Sequence, residues 1–317
     1  MAPGPGPSEP QLLSESIVMD DGLELPLRRW LPPAGEATRA VVIALHGFND
    51  YSKAFESPGA AWAKHGIATY AYDQRGFGAG PETGLWAGHE RLTADLADAR
   101  EAIGARHPDL PVFLLGDSMG AAVVLVSLTG TDPPPEVAGA ILVAPAVWGR
   151  ATMPIHQRVA LWLTARLIPW ARFSGRGLDI QASDNIEMLR ALGRDPLIIK
   201  RTRVDAIDGL TDLMSAALEA GPRFEARALL LYGEKDEVVP KDPVFRFWRG
   251  LPAAAGSRQR QALYAEGWHM LLRDLQAELV HQDIAAWIAE PEAALPSGAD
   301  AQARAALQAV EEAAEAR

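Results

Sequence analysis

The apolar positions of this chain fall into two kinds of run. Some are continuous and short: "AVVIALHGF" at 40–48, "IATYAYD" at 67–73, "PVFLLG" before Asp117, "VAGAILVAPAV" at 137–147 and "ARALLLYGEKD" at 226–236. Uninterrupted apolar runs of this length, closed by glycine or a charged turn, predict strands covered on both faces. "RQALYAEGWH" at 260–269 holds a further strand. Between these runs the apolar residues recur at helical spacing. A helix is expected to end near Lys64-His65-Gly66, another spans "ERLTADLADAREAIGARHP" at 90–108 and stops at Pro108, and a small-residue helix follows in "GAAVVLVSLTG". Further helices are expected near 242–250 and in "LQAELVHQDIAAWIAE". Residues 15–31 read as two short strands around the turn Asp20-Asp21-Gly22.

Strand and helix therefore alternate with short loops, which predicts an α/β fold with a mainly parallel central sheet and helices on both faces. The alternation breaks over 148–225, where no clear strand is read and several helical pieces are, among them "IHQRVALWLTARLIPW". Such an insertion lies over the crevice at the carboxyl ends of the strands and is expected to form a helical cap, or lid. The organisation read from the chain is a disordered tail over 1–12, a core from 13–147 and 226–290, the cap over 148–225, and an Ala/Glu-rich tail over 291–317 that is either a frayed helix or disordered.

Composition narrows the class. A length of 317 residues, 48% hydrophobic and 22% charged, suits a soluble globular protein of one large domain or of one domain with an insertion. The chain has no cysteine, which removes thiol chemistry and cysteine metal sites and leaves the compartment open. A net charge of −11 argues against nucleic acid as a partner. The opening "MAPGPGPSEP" has neither a basic stretch nor an apolar run, so no signal peptide is read there. The expectation is a cytoplasmic chain or one peripheral to a membrane, with a trimmed signal segment as the alternative.

One stretch carries candidate chemistry. Gly116-Asp117-Ser118-Met119-Gly120 fits G-x-S-x-G between a strand and a helix. The plain alternative is an ordinary turn. As a nucleophile elbow it would lift the Ser118 hydroxyl above the sheet edge. A serine hydroxyl needs a base, an acid that orients the base, and donors for the oxyanion. Of the seven histidines, His269 follows the last strand and precedes a helix, where a base would stand. His65 and His107 lie near helix ends and read as surface residues, His89 lies in a loop or at a helix start, His156 in the insertion, His281 in a helical pattern, and His46 before the elbow. Asp236, just past an apolar strand and between Ser118 and His269 in the chain, is the candidate acid. Asp205, Asp208 and Asp212 share that interval but fall in the insertion. The candidate oxyanion donors are the backbone amides of Phe48 and Met119, with Gly47 letting the backbone come close. Singly, His269 also reads as a surface histidine, Asp236 as a solvated turn and Phe48 as core.

Taken together, "VVIALHGF", "YAYDQRGFGAG", "VFLLGDSMGA", "ILVAPAV", "LLLYGEKDEVVP" and "EGWHMLL" resemble the α/β-hydrolase superfamily, and within it the monoacylglycerol lipase and lysophospholipase group. The resemblance covers most of 15–290. It implies an α/β-hydrolase fold, Ser118 as nucleophile, His269 as general base, Asp236 as its acid, the Phe48 and Met119 amides as oxyanion hole, and a cap over an acyl pocket. Two departures stand out. Asp117 precedes the serine where the group usually has His, with Ala121 in place of a second glycine, and "HGFND" replaces the commoner "HGxGEH".

The cap segregates charge: 149–203 holds ten Arg or Lys against four Asp or Glu, a net of +6, beside Trp162, Trp170, Leu161, Leu163, Leu167, Ile168 and Phe173. These residues either make transient contact with a membrane surface, line an acyl tunnel, or pack on the core with their arginines solvated. The function expected is a serine carboxylester hydrolase acting on lipid-like monoesters, of monoacylglycerol or lysophospholipid type, with no metal or organic cofactor. Its partner is a small acyl ester. The rivals are an esterase or acyltransferase on other small acyl esters, thioesters or amides, and a non-catalytic binding protein on the same fold.

Overall fold

The computed structural model describes residues 1, 4–131, 133–134, 136–175, 177 and 179–315. Residues 2 and 3 of the expected first tail, 176 and 178 of the expected cap, and 316 and 317 of the last tail lie outside them. In chain order the elements are β1 (Gln11–Leu12), β2 (Ser16–Val18), β3 (Glu24–Trp30), β4 (Ala40–Leu45), α1 (Glu56–Ala63), β5 (Ile67–Tyr72), α2 (His89–Arg106), β6 (Val112–Asp117), α3 (Met119–Thr129) and β7 (Gly139–Val143). There follow α4 (Ile155–Leu167), β8 (Arg172–Phe173), α5 (Ile186–Arg194), β9 (Thr202–Arg203), α6 (Val204–Ala220), β10 (Ala228–Gly233), α7 (Lys241–Arg249), β11 (Gln259–Tyr264), α8 (Ala277–Ala289) and α9 (Ala299–Glu315).

The large sheet runs β1-β2-β3-β5-β4-β6-β7-β10-β11. It is antiparallel from β1 to the β3–β5 pair and parallel from β5 to β11. The continuous apolar runs have a direct cause. Val41, Ile43 and Leu45 point into one core, while Ala40, Val42 and Ala44 point into the other on the opposite face. The same division separates Leu114 from Leu115, Leu142 from Val143, and Leu230 from Leu231. With helices on both faces, both sides of these strands are apolar up to their carboxyl ends. The chain leaves β4 toward β5 on one side and returns to β6 on the other. The carboxyl ends of β4 and β6 therefore flank a topological switch point, where open α/β sheets hold ligands.

Three expectations are corrected. The first tail is shorter than 1–12, because Gln11 and Leu12 pair with Val18 and Ile17, and the Gly6 amide donates to the Asp21 carbonyl at 2.9 Å. The insertion does contain strand: β8 and β9 pair antiparallel, but two residues each are too few to show a period. Of the two readings of the last tail the helical one holds, as α9, but the helix packs beside β11 instead of fraying. Ala299 and Ala303 are buried, and Ala306, Leu307 and Val310 follow on the same face. An apolar stripe built largely of alanine is what made this helix read as a frayed or disordered tail. Among the described residues no helix is long and apolar enough to cross a membrane.

Candidate active site

β6 ends at Asp117 and α3 begins at Met119, so Ser118 is the whole of the connection. Its backbone sits at φ 53° and ψ −110°, a conformation that costs a residue with a Cβ of the order of 1–3 kcal/mol. The neighbours hold it there. The Ser118 amide donates to the Val143 carbonyl at 2.9 Å, and its own carbonyl accepts from the Ala121 and Ala146 amides, each at 3.1 Å. The flanking glycines are steric necessities. A Cβ at Gly116 would strike the backbone of Gly120 and Ala121, and one at Gly120 would strike the Leu45 carbonyl. The G-x-S-x-G spacing is thus the sequence of a turn in which strand and helix backbones nearly touch.

His269 lies on the loop after β11, and its Nε2 is 3.0 Å from Ser118 Oγ. Its Nδ1 is 2.8 Å from Asp236 Oδ2. Asp236, on the loop after β10, also accepts from the Val238 and Val239 amides through Oδ1, at 2.8 and 2.9 Å. An ionised carboxylate only accepts, so Nδ1 carries the proton and Nε2 is left as an acceptor for the serine hydroxyl. Burial by itself would lower the His269 pKa. The Asp236 carboxylate against Nδ1, helped by Asp117 and Asp274, more than offsets this and holds it above the ordinary histidine range. The structure thus brings Ser118, His269 and Asp236 into one hydrogen-bonded line from three strand ends. Asp205 pairs instead with Arg203, and Asp208 and Asp212 with Arg150.

The loop after β4 lies against the serine: a Cβ on Gly47 would stand 3.4 Å from Ser118 Cβ. Met119 opens α3, so its N–H has no acceptor within the helix. Phe48 lines the same cavity as Ser118 and also stacks edge-on with Phe77 and Trp86. His46 has a supporting role. Its Nε2 accepts from the Gln74 amide at 2.9 Å, so its Nδ1 donates to the Gly47 carbonyl at 2.8 Å. Burial holds its pKa below the ordinary value, which suits the neutral ring. His107, expected at the surface, is half-buried with its Nε2 2.8 Å from the Tyr70 hydroxyl.

Several polar residues around the site, Asp117 apart, carried no signal in the sequence. Arg273 reaches Asp50 at 2.5 Å. Asp274 accepts from the Trp268 amide at 2.8 Å and from Ser183 Oγ at 2.6 Å, tying the His269 loop to the inserted segment. The Met270 amide donates to the Ala182 carbonyl beside it. Asp117 is buried and faces the cavity, and burial pushes its carboxyl up to about 6. The Arg273–Asp50 and Asp274–Ser183 pairs join distant parts of the chain, and only the fold reveals them.

The cavity above Ser118 measures about 340 Å³. Phe48, Val238, Val239 and Met270 line it from the core, and Trp148, Ala182, Leu210 and Met214 from the insertion. A larger depression of about 910 Å³ lies at the opposite, amino ends of β4 and β5 and holds none of these groups. Among the described residues no cluster of His, Asp or Glu could hold a metal ion.

The chain resembles known proteins over most of its length. Residues 36–276 match the family model described as "Serine aminopeptidase, S33". The monoacylglycerol lipase of Mycolicibacterium smegmatis is 26% identical over 268 residues, 82% of this chain and 90% of its own. The monoglyceride lipase of Homo sapiens is 24% identical over 279 residues, 86% of this chain and 89% of its own. Among solved structures, a soluble variant of the monoglyceride lipase from Saccharomyces cerevisiae, in complex with a substrate analog, aligns with a TM-score of 0.72 at 20% identity. That alignment spans 90% of this chain and 98% of the other.

Proposed function

The chain belongs to the monoacylglycerol lipase-like family of α/β-hydrolases and is a hydrolase of lipase or esterase type, and from that premise we propose that it is a serine carboxylester hydrolase acting on lipid-like monoesters through an acyl-enzyme. The observation that carries the reading is the line from Ser118 Oγ through His269 to Asp236, at 3.0 and 2.8 Å.

In the proposed reaction His269 Nε2 takes the hydroxyl proton as Ser118 Oγ bonds to the acyl carbon. Asp236 stabilises the imidazolium that forms. The Phe48 and Met119 amides hold the developing oxyanion. Collapse of the tetrahedral intermediate breaks the ester C–O bond, and His269 returns its proton to the leaving alcohol. Water then attacks the acyl-enzyme with the same base, releasing the acid and restoring Ser118.

The apolar cavity walls suit an acyl chain. The contribution of Ala182, Leu210 and Met214 to those walls supports 148–225 as the cap. The cap is also the proposed contact with a membrane surface. None of the thirteen residues of α4 is buried, and Ile155, Leu167 and Trp170 are each more than 60% exposed. Arg158 and Arg166 on the same helix would meet anionic head groups.

Hydrolysis of p-nitrophenyl esters from acetate to palmitate, by wild type and Ser118→Ala, tests the reading. Activity lost in the variant, with an optimum at medium or long chains, supports it. Folded wild type inactive on every ester would overturn it.

A further inference from the structure

The Asp117 carboxyl takes no step in the proposed chemistry. It is 6% exposed, it faces the same cavity as Ser118, and its Oδ1 has no hydrogen-bond partner. A buried acceptor left unpartnered carries the full cost of its lost hydration. Neither basic side chain nearby donates to its Oδ1. Arg273 reaches Asp50, and the two nitrogens of His269 face Asp236 and Ser118. The missing donor must therefore come from whatever enters the cavity.

We propose that Asp117 is a specificity-determining residue whose carboxyl accepts a hydrogen bond from a donor, a hydroxyl or an ammonium, on the alcohol part of the substrate. This rests on the reading of Ser118 as the nucleophile. The cavity has two chemical ends. Phe48, Trp148, Leu210, Met214, Val238 and Val239 form apolar walls that take the acyl chain. Asp50, Asp117 and Arg273 gather at the polar side, where the alcohol is left. Asp50 holds the guanidinium of Arg273 there. Arg273 and His269 favour the charged form of Asp117, while burial, Asp50 and Asp236 oppose it. Once ionised, Asp117 only accepts, and an anionic head group beside it would meet a like charge. The site thus selects alcohols bearing hydroxyls or a cation against those bearing phosphate.

The test uses one acyl chain on four alcohols: monodecanoylglycerol, dimethylaminoethyl decanoate, decanoylglycerol phosphate and ethyl decanoate. We measure kcat and KM for wild type, Asp117→Ala and Asp117→Asn, with thermal melting as the check on folding. Wild type should favour a donor-bearing ester over ethyl decanoate and disfavour the phosphate ester. In Asp117→Ala that preference should fall by about tenfold or more, chiefly through KM. Asp117→Asn keeps a carbonyl acceptor but no charge. Preference retained in it identifies a hydroxyl as the donor, and preference lost identifies an ammonium. A fall by the same factor on all four esters, or no change in the ratios, overturns the proposal, since a structural role or solvent would then account for Asp117. If Ser118→Ala keeps hydrolysing these esters, the nucleophile reading has failed instead.

Discussion

The guanidinium of Arg273 meets the carboxylate of Asp50 at 2.5 Å, joining the loop that carries His269 to the loop after β4 across the face of Ser118. Both side chains are nearly withdrawn from solvent, at 11% and 9% exposure. Truncating one partner leaves the other charged and buried, which costs about 3–5 kcal/mol, whereas replacing both by apolar groups of similar volume is close to neutral. Arg273→Met should therefore destabilise strongly and lower kcat by loosening both loops. Asp50→Leu with Arg273→Met should recover most of the stability without the kcat. Urea unfolding of the two single variants and the double variant measures the coupling, and additive losses would show that the pair does not act as a unit.

This pair also marks where sequence reasoning stops. Ser118 was legible because sterics force glycine at 116 and 120 around it. Asp236 and His269 were legible because each follows an apolar strand in the order that such a site requires. Asp50, Ser183 and the neighbours Arg273 and Asp274 sit on three loops with no local pattern, and their partners lie up to 223 positions away. The outward face of α4 shows the other limit. An amphipathic helix has the same periodicity whether its apolar side meets the core or points away from it.

Asp236→Asn should leave the fold intact and nearly abolish activity. The carboxylate selects the tautomer with the proton on Nδ1, and an amide presenting its N–H there would select the other, which cannot accept from Ser118. A loss of about four orders of magnitude in kcat is expected. A loss of tenfold or less, with unchanged circular dichroism, would count against Asp236 as the orienting acid.

The pH profile follows from the charges around His269. Only the neutral ring can take the Ser118 proton, and Asp236 raises its pKa despite burial. Activity should therefore rise with pH through a limb lying above the ordinary histidine value of about 6.5. Linkage runs in the opposite direction. The ion pair of protonated His269 with Asp236 stabilises the fold fully below the unfolded pKa, and that contribution fades as pH rises through the folded one. Asp117 also favours the protonated ring, so Asp117→Asn should move the kinetic limb to lower pH. A limb in kcat/KM that stays in place would separate Asp117 from His269 electrostatically.

The exposed face of α4 yields a prediction independent of the chemistry. Trp162 is 49% exposed and Leu167 68%, and Arg166 stacks over the Trp162 ring at 4.3 Å. Seating such side chains in a lipid interface contributes about 1.5–3 kcal/mol each when burial is complete. Trp162→Glu and Leu167→Glu should each weaken flotation with vesicles of phosphatidylcholine and phosphatidylserine by about tenfold, and raised salt should weaken wild type further. Neither residue lines the cavity above Ser118, so hydrolysis of a soluble short-chain ester should persist in both variants. Its persistence would assign the loss to delivery of substrate from a lipid surface. If vesicle binding is unchanged while a dimer dissociates in gel filtration, the face is covered by a second copy of the chain, and the arginines beside it meet acidic protein surface rather than lipid.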